Sequence, residues 1–178
     1  MSIIITKKIC LLGDFNVGKT SLVRRYIEDR FSDEYLSTVG VKVSRKSLGV
    51  ETNTDIQQIS LMIWDLEGNT KFKSITPNYL RGASGSIIVA DLTRNETIKN
   101  LDRHLQLFSE INPKGKAVIA FNKADLIPAE KLAKLVENYQ SQNPERVLGI
   151  YTTSAKTGDL VEEIFQKIAT TIVATQGL

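Results

Sequence analysis

A single cysteine, Cys10, stands in 178 residues, so no disulfide can form within the chain. Without a disulfide framework, stability has to come from a packed core, and the usage fits a reducing, cytoplasmic compartment. Cys10 lies inside an apolar run, which predicts a packed, inert thiol rather than a reactive one. No stretch approaches the ~18 apolar residues of a membrane-spanning helix. The opening residues, Met1-Ser2-Ile3-Ile4-Ile5, have neither the basic lead nor the length of a secretion signal. Residue 2 is Ser and the last five residues contain no cysteine, so these positions offer no myristoyl or prenyl acceptor, and we expect no direct membrane anchor. No run of five like charges occurs. The net charge of +3, from 23 basic and 20 acidic residues, therefore predicts a solvated surface rather than a nucleic-acid footprint. There is also no repeat, low-complexity tract or long linker, and a chain of this length reads as one domain, 1–178, acting as a monomer.

What is present alternates between two periods. Unbroken apolar runs at residues 9–12, 86–90 and 117–121 predict buried parallel strands. Ile59, Leu61 and Ile63 alternate with their neighbours and predict a half-exposed strand over 56–64. A strand-like stretch at 39–50 precedes it across the polar turn 51–55, so the two should form an antiparallel hairpin. A last strand is expected at 147–152. Helical spacing follows Asn95 (Ile98, Leu101, Leu105, Phe108) as one continuous face. It recurs after Pro128, a first-turn proline, at Leu132, Leu135, Val136 and Tyr139. It recurs again from Leu160 to Val173, with Asp159 as the cap or first-turn acid. Parallel strands joined by helices predict an α/β, doubly wound, six-stranded, mostly parallel sheet with one antiparallel edge strand and helices on both faces. Ligands then bind outside the carboxyl ends of the strands.

The first strand runs directly into Gly13-Asp14-Phe15-Asn16-Val17-Gly18-Lys19-Thr20, and a helical pattern (Leu22, Val23, Tyr26, Ile27) follows. Strand, glycine-bounded loop and helix are the context that confirms the phosphate-binding pattern GxxxxGK[ST]. Glycines let the backbone turn its N–H groups inward, and the helix start adds free donors and a positive dipole end. Lys19 supplies a point charge to the terminal phosphates, and the Thr20 hydroxyl is placed to ligate Mg²⁺.

Four more motifs fall at strand ends. In Tyr35-Leu36-Ser37-Thr38-Val39-Gly40, Thr38 can give Mg²⁺ a second hydroxyl. In Asp65-Leu66-Glu67-Gly68, the aspartate suits Mg²⁺ and the glycine permits close backbone approach to a phosphate. In Asn122-Lys123-Ala124-Asp125, Asp125 can accept from both N1–H and N2–H of guanine, a pair adenine lacks. Asn122 would brace the loop and Lys123 cover the base. In Ser154-Ala155-Lys156, the Ala155 N–H can donate to a purine carbonyl.

With these motifs in this order, the chain resembles small GTPases of the Ras superfamily over nearly its whole length, and the Rab branch most of all. Segments 13–20, 37–41 and 72–85 carry that resemblance. It implies a P-loop NTPase fold, a single G domain, and a switch that binds GTP or GDP with Mg²⁺, hydrolyses GTP slowly and controls an effector. It implies nucleotide contacts from Gly13, Asn16, Val17, Gly18, Lys19, Thr20, Ser21, Phe31, Tyr35, Thr38, Gly68, Asn122, Lys123, Asp125, Ser154, Ala155 and Lys156. Phe31 would pack edge-on against guanine. Metal ligation falls to Thr20, Thr38 and Asp65, and catalysis to Lys19, Thr38, Gly68, Asn69 and Glu67. Effector and regulator proteins would dock through residues 30–45 and 65–81.

Departures from the family pattern are as informative. The water-orienting glutamine after Asp-x-x-Gly is Asn69, the small residue before that glycine is Glu67, and the P-loop carries Phe15. Trp64 and Tyr79 match two of three Rab effector-facing aromatics, with Val43 at the third place, so known Rab partners do not carry over. The departures fit either neutral drift in an active GTPase or a slow, differently catalysed or partner-assisted one. A module holding GTP permanently is the alternative. A P-loop nucleotide kinase would need an Arg-rich lid insertion, which the chain lacks.

Overall fold

The computed structural model describes residues 4–34, 37–52, 55–68 and 76–175. The chain runs β1 (Ile5–Gly13), α1 (Lys19–Glu28), β2 (Val41–Glu51), β3 (Ile56–Leu66), α2 (Thr76–Leu80), β4 (Gly85–Asp91), α3 (Asn95–Lys99), α4 (Leu101–Ile111), β5 (Lys116–Asn122), α5 (Ala129–Asn138), β6 (Val147–Thr152) and α6 (Val161–Ala174). Six strands form one sheet in the order β2-β3-β1-β4-β5-β6. Every neighbouring pair is parallel except β2–β3, so the expected doubly wound sheet with one antiparallel edge strand is what forms.

The apolar runs are unbroken because both faces of these strands are covered, and alternate residues serve opposite layers. Ile9, Leu11, Ile87, Val89, Val118 and Ala120 face α1 and α6, where Tyr26 and Phe165 stack with ring centroids 4.0 Å apart. Cys10, Leu12, Ile88, Ala90, Ile119 and Phe121 face Leu101, Leu105 and Phe108 of α4. Cys10 is fully buried, and that burial pushes its thiol up to about 12, as expected of an inert thiol.

Register places the motifs. Leu11 lies beside Asp65, Gly13 beside Val89, Asp91 beside Asn122 and Phe121 beside Thr152, so the carboxyl ends of the five parallel strands share one edge. Because β2 runs the other way, its first residue, Val41, pairs with Leu66, and the segment carrying Thr38 enters at that same edge.

Three local expectations change. The stretch after Asn95 is two helices, not one, and Asn100 sits at the junction with ψ −6°. Its side chain is drawn out of the helical run to donate to Asp14 Oδ2 at 2.6 Å. Asp159 does not cap α6. Its carbonyl accepts from the Ser154 N–H, closing the loop before the helix, and Leu160, left-handed at φ 53°, precedes Val161. The first-turn acids are Glu162 and Glu163. Pro128 sits one place earlier than expected, as the residue before α5, where its carbonyl accepts from Lys131 and Leu132.

Candidate functional site

At the strand-end edge lies a cleft of 370 Å³ with the P-loop as its floor. Lys19, the first residue of α1, is almost fully buried, and its ammonium donates to Gly13 O and Asp14 O, both at 2.8 Å. Burial lowers its pKa to about 8, against the upward pull of the Asp65 and Asp14 carboxylates. A cation held with donors to two carbonyls at the mouth of a loop of N–H groups is an anion-binding arrangement. Gly68 closes over it so tightly that a Cβ there would stand 2.6 Å from both Lys19 Nζ and Asp14 O, so only glycine fits.

Beside Lys19, three oxygens converge. Thr20 Oγ1 donates to Asp65 Oδ2 at 2.5 Å, Thr38 Oγ1 lies 2.6 Å from Thr20 Oγ1, and Thr38 Oγ1 donates to Asp65 Oδ2 at 3.3 Å. Asp65 is 1% exposed, and its other oxygen, Oδ1, is buried without a hydrogen-bond partner among the described residues. Burial pushes the Asp65 carboxyl up, against the Thr20 bond and the charge of Lys19. Two hydroxyls and a carboxylate with an unpaired oxygen form a hard, all-oxygen donor set, which fits Mg²⁺.

The far end of the cleft is built from β5 and the loop after β6. Asn122 joins three segments. Its Nδ2 donates to Val17 O at 3.0 Å, and its Oδ1 accepts from Ala155 N–H and Thr153 Oγ1, both at 3.3 Å. A Cβ on Gly18 would stand 2.3 Å from Asn122 Nδ2, so this glycine lets the two loops meet. Lys123 stretches along the cleft to donate to Asn16 O at 3.1 Å. Asp125 is exposed in the cleft, and Ser154 Oγ donates to its Oδ1 at 2.7 Å.

Of the expected nucleotide contacts, Asn16, Gly18, Lys19, Thr20, Ser21, Phe31, Thr38, Gly68, Asn122, Lys123, Asp125, Ala155 and Lys156 line one cleft. Phe31 also packs against the α1–α6 core. Gly13, Val17 and Ser154 stand behind the lining as supports. Glu67 lies outside it, with its carboxylate accepting from the Gly40 N–H at 2.7 Å. Tyr35 and Asn69 lie outside the described residues. Trp64 and Tyr79 approach with ring centroids 6.3 Å apart, and Val43, half exposed, pairs with Trp64 in the β2–β3 register.

Sequence reasoning missed the residues that brace these loops. Asp91, buried at the end of β4, accepts from Lys123 Nζ at 2.7 Å and Arg94 Nε at 3.3 Å. Arg94 in turn donates to Phe15 O at 2.6 Å, so one carboxylate aims two cations at consecutive P-loop carbonyls. Burial opposes ionisation of Asp91, but the Lys123 and Thr93 bonds outweigh it and hold the carboxyl below its ordinary range. A charged residue closing an apolar strand was the available signal. Arg25 on α1 ties down the last loop, donating to Ala155 O at 2.8 Å and Lys156 O at 2.6 Å, and no local pattern marks it.

Comparison with known proteins agrees with this geometry. The Ras family model matches residues 8–174. Ras-related protein RABF2b of Arabidopsis thaliana is 37% identical over 93% of this chain and 80% of its own length. Ras-related protein Rab-13 of Bos taurus is 33% identical over 96% and 81%. GTP-binding protein ypt5 of Schizosaccharomyces pombe is 35% identical over 93% and 77%. The chain belongs to the Ras family, with Rab-named proteins among its relatives.

Proposed function

We propose that this chain is a guanine-nucleotide switch that binds GTP and GDP with Mg²⁺, hydrolyses GTP slowly and controls an effector. The observation that carries the reading is the single cleft. Lys19, Thr20 and Thr38 line one end, and Asn122, Lys123, Asp125 and Ala155 line the other. Phosphates would lie over residues 13–20, and the base against Asp125 with Phe31 at its edge. Thr20 and Thr38 would hold Mg²⁺ with Asp65, whose Oδ2 already gathers both hydroxyls. The metal would neutralise charge on the terminal phosphates. Relatives named as Ras-related and GTP-binding proteins support the same class. The working form is a cytoplasmic monomer without a nucleic-acid partner, docking proteins through residues 30–45 and 65–81.

Hydrolysis is slow on this reading, no faster than the roughly 3–5 × 10⁻⁴ s⁻¹ of unassisted Ras. Asn69 is one methylene shorter than the glutamine it replaces, and a misplacement of about 1 Å can cost on the order of 10²-fold. Phe15, 43% exposed at the cleft mouth, occupies space through which an outside arginine would enter. The Glu67 carboxylate accepts from the Gly40 N–H and does not line the cleft, which also favours the second reading, a module that holds GTP without turning it over.

Mass analysis of the nucleotide carried by purified protein, repeated through a timed incubation with GTP, tests the whole reading. Retained guanine nucleotide that converts slowly to GDP is the expected result. GTP that never converts selects the permanent module, and competition by ATP equal to that by GDP refutes the guanine assignment. Asp125→Asn is expected to weaken guanine binding and move preference toward xanthine, which presents a carbonyl where guanine presents an amine.

A further inference from the structure

Glu67 stands one residue past β3, opposite the glycine that precedes β2, and it holds both polar groups of that glycine. Its backbone N–H donates to Gly40 O at 2.9 Å, extending the ladder one bond beyond the Val41–Leu66 pair. Its side chain closes the ring, with Gly40 N–H donating to Glu67 Oε2 at 2.7 Å. A carboxylate accepting from a backbone N–H is among the stronger hydrogen bonds a chain makes with itself. Gly40 turns its N–H that way at φ +73°, a conformation glycine adopts freely. Two residues upstream, Thr38 Oγ1 rests on Thr20 Oγ1 and Asp65 Oδ2. Val39 between them is 78% exposed, so apolar packing does little to fix the segment. The segment is therefore held at its two ends by polar contacts; with a metal bound the Thr38 end would turn to it, while the Glu67 end keeps its partner within the chain. A residue with a small apolar side chain at position 67 could not make this second bond.

We propose that Glu67 is a positioning residue whose carboxylate latches the Thr38 segment to the end of β3, so that the segment stays closed whether the bound nucleotide ends in two phosphates or three. The reading of the cleft as a guanine-nucleotide site underlies this statement. A segment held shut only by a γ-phosphate opens when that phosphate leaves, whereas a latch inside the chain is indifferent to the loss. A protein partner that reads residues 37–43 alone then binds both nucleotide forms. Glu67 acts on the reaction through Thr38, by position rather than by proton transfer.

Amide hydrogen exchange over residues 37–43 tests the latch on the full chain, loaded with GDP or with a non-hydrolysable GTP analogue and checked for retained nucleotide. In the wild type, the two forms are expected to exchange within about twofold of each other. Glu67→Ala is expected to speed exchange in the GDP form by about tenfold or more, the scale of one charge-assisted hydrogen bond. Glu67→Gln should restore most of the protection, since its amide oxygen still accepts from Gly40 N–H. Protection of β4 and β5 amides in each variant reports that the fold is intact. Wild-type GDP protein exchanging tenfold faster than the analogue form overturns the latch even if the alanine variant fails to fold. So does a glutamine variant as fast as alanine. If no nucleotide is retained, the function reading fails separately, and the alanine–glutamine contrast on the nucleotide-free chain still decides the latch.

Discussion

Asp65 and Cys10 show how burial at single residues fixes opposite chemistry on two neighbouring strands. Asp65 is buried with one oxygen paired to hydroxyls and one unpaired among the described residues, an arrangement that costs stability unless something completes it. Cys10 is buried where desolvation favours the neutral thiol, and the charge of Lys8 opposes it only in part. Its folded value of about 12 lies above the unfolded 9.0, so folding keeps a proton that the unfolded chain gives up between those values. Stability contributed at this position is therefore complete below pH 9 and declines as pH rises toward 12, with a slope of up to about 1.4 kcal/mol per pH unit. As the chain's only cysteine, it makes a clean probe. We expect a thiol reagent at pH 8 to leave the native protein unmodified and to label it at the rate of unfolding when urea is added. Rapid stoichiometric labelling of the native form would contradict the packed-thiol reading. Cys10→Ala should also lose less stability than the wild type between pH 9 and 10, measured by urea unfolding.

Between elements, the firmest joint of the site is one no motif announced. The ends of β4 and β5 lie side by side, Asp91 beside Asn122, and each sends a polar side chain beneath the P-loop. Asp91 grips Lys123 and Arg94, which hold the carbonyls of Asn16 and Phe15, while Asn122 holds that of Val17. Three consecutive carbonyls of one loop are thus fixed from two strand ends. Removing the Asp91 carboxylate would leave both cations without their buried partner. Asp91→Ala is expected to cost about 1–3 kcal/mol in urea unfolding, because the two cations it leaves are part exposed, and to speed nucleotide release. A loss under about 1 kcal/mol would show that solvent screens the pair, Lys123 being part exposed. The sequence displayed the strands and the loops after them, because apolar runs and strand-end glycines are local signals. It could not display this joint or the Arg25 contact with Ala155, which links residues 130 apart, because pairing at that distance depends on the finished topology. The division between α3 and α4 was hidden for the same reason. Helical spacing continues through Asn100, and its side-chain bond to Asp14, 86 residues away, exists only in the finished fold. The role of Glu67 was likewise open until β2 and β3 were seen to bring Gly40 beside it.

For the molecule as a whole, the cleft exists only while the sheet does. Its walls come from the ends of β1, β3, β5 and β6 and from the segment entering β2, so residues from 15 to 156 must be brought together to make it. A ligand of that cleft binds the folded chain and has nothing to bind in the unfolded one, which ties affinity to global stability. Ligand at 1,000 times its dissociation constant adds about 4 kcal/mol. For a chain of this size, each kcal/mol raises the unfolding midpoint by roughly 2–4 °C. With Mg²⁺ present, saturating GDP should therefore raise the thermal midpoint by about 8–16 °C, while ATP at the same concentration should leave it within about 2 °C. Removing Mg²⁺ with a chelator should shrink the GDP shift, because the donor set at Thr20, Thr38 and Asp65 then loses the cation that joins it to the phosphates. Differential scanning calorimetry reads all three conditions on one preparation, starting from protein stripped of nucleotide so that the baseline is common. Equal shifts with GDP and ATP would leave the P-loop reading standing and remove the one built on Asp125. A GDP shift unaffected by chelation would mean that the three oxygens near Lys19 serve only one another, as a hydrogen-bonded cluster holding residue 38 in place.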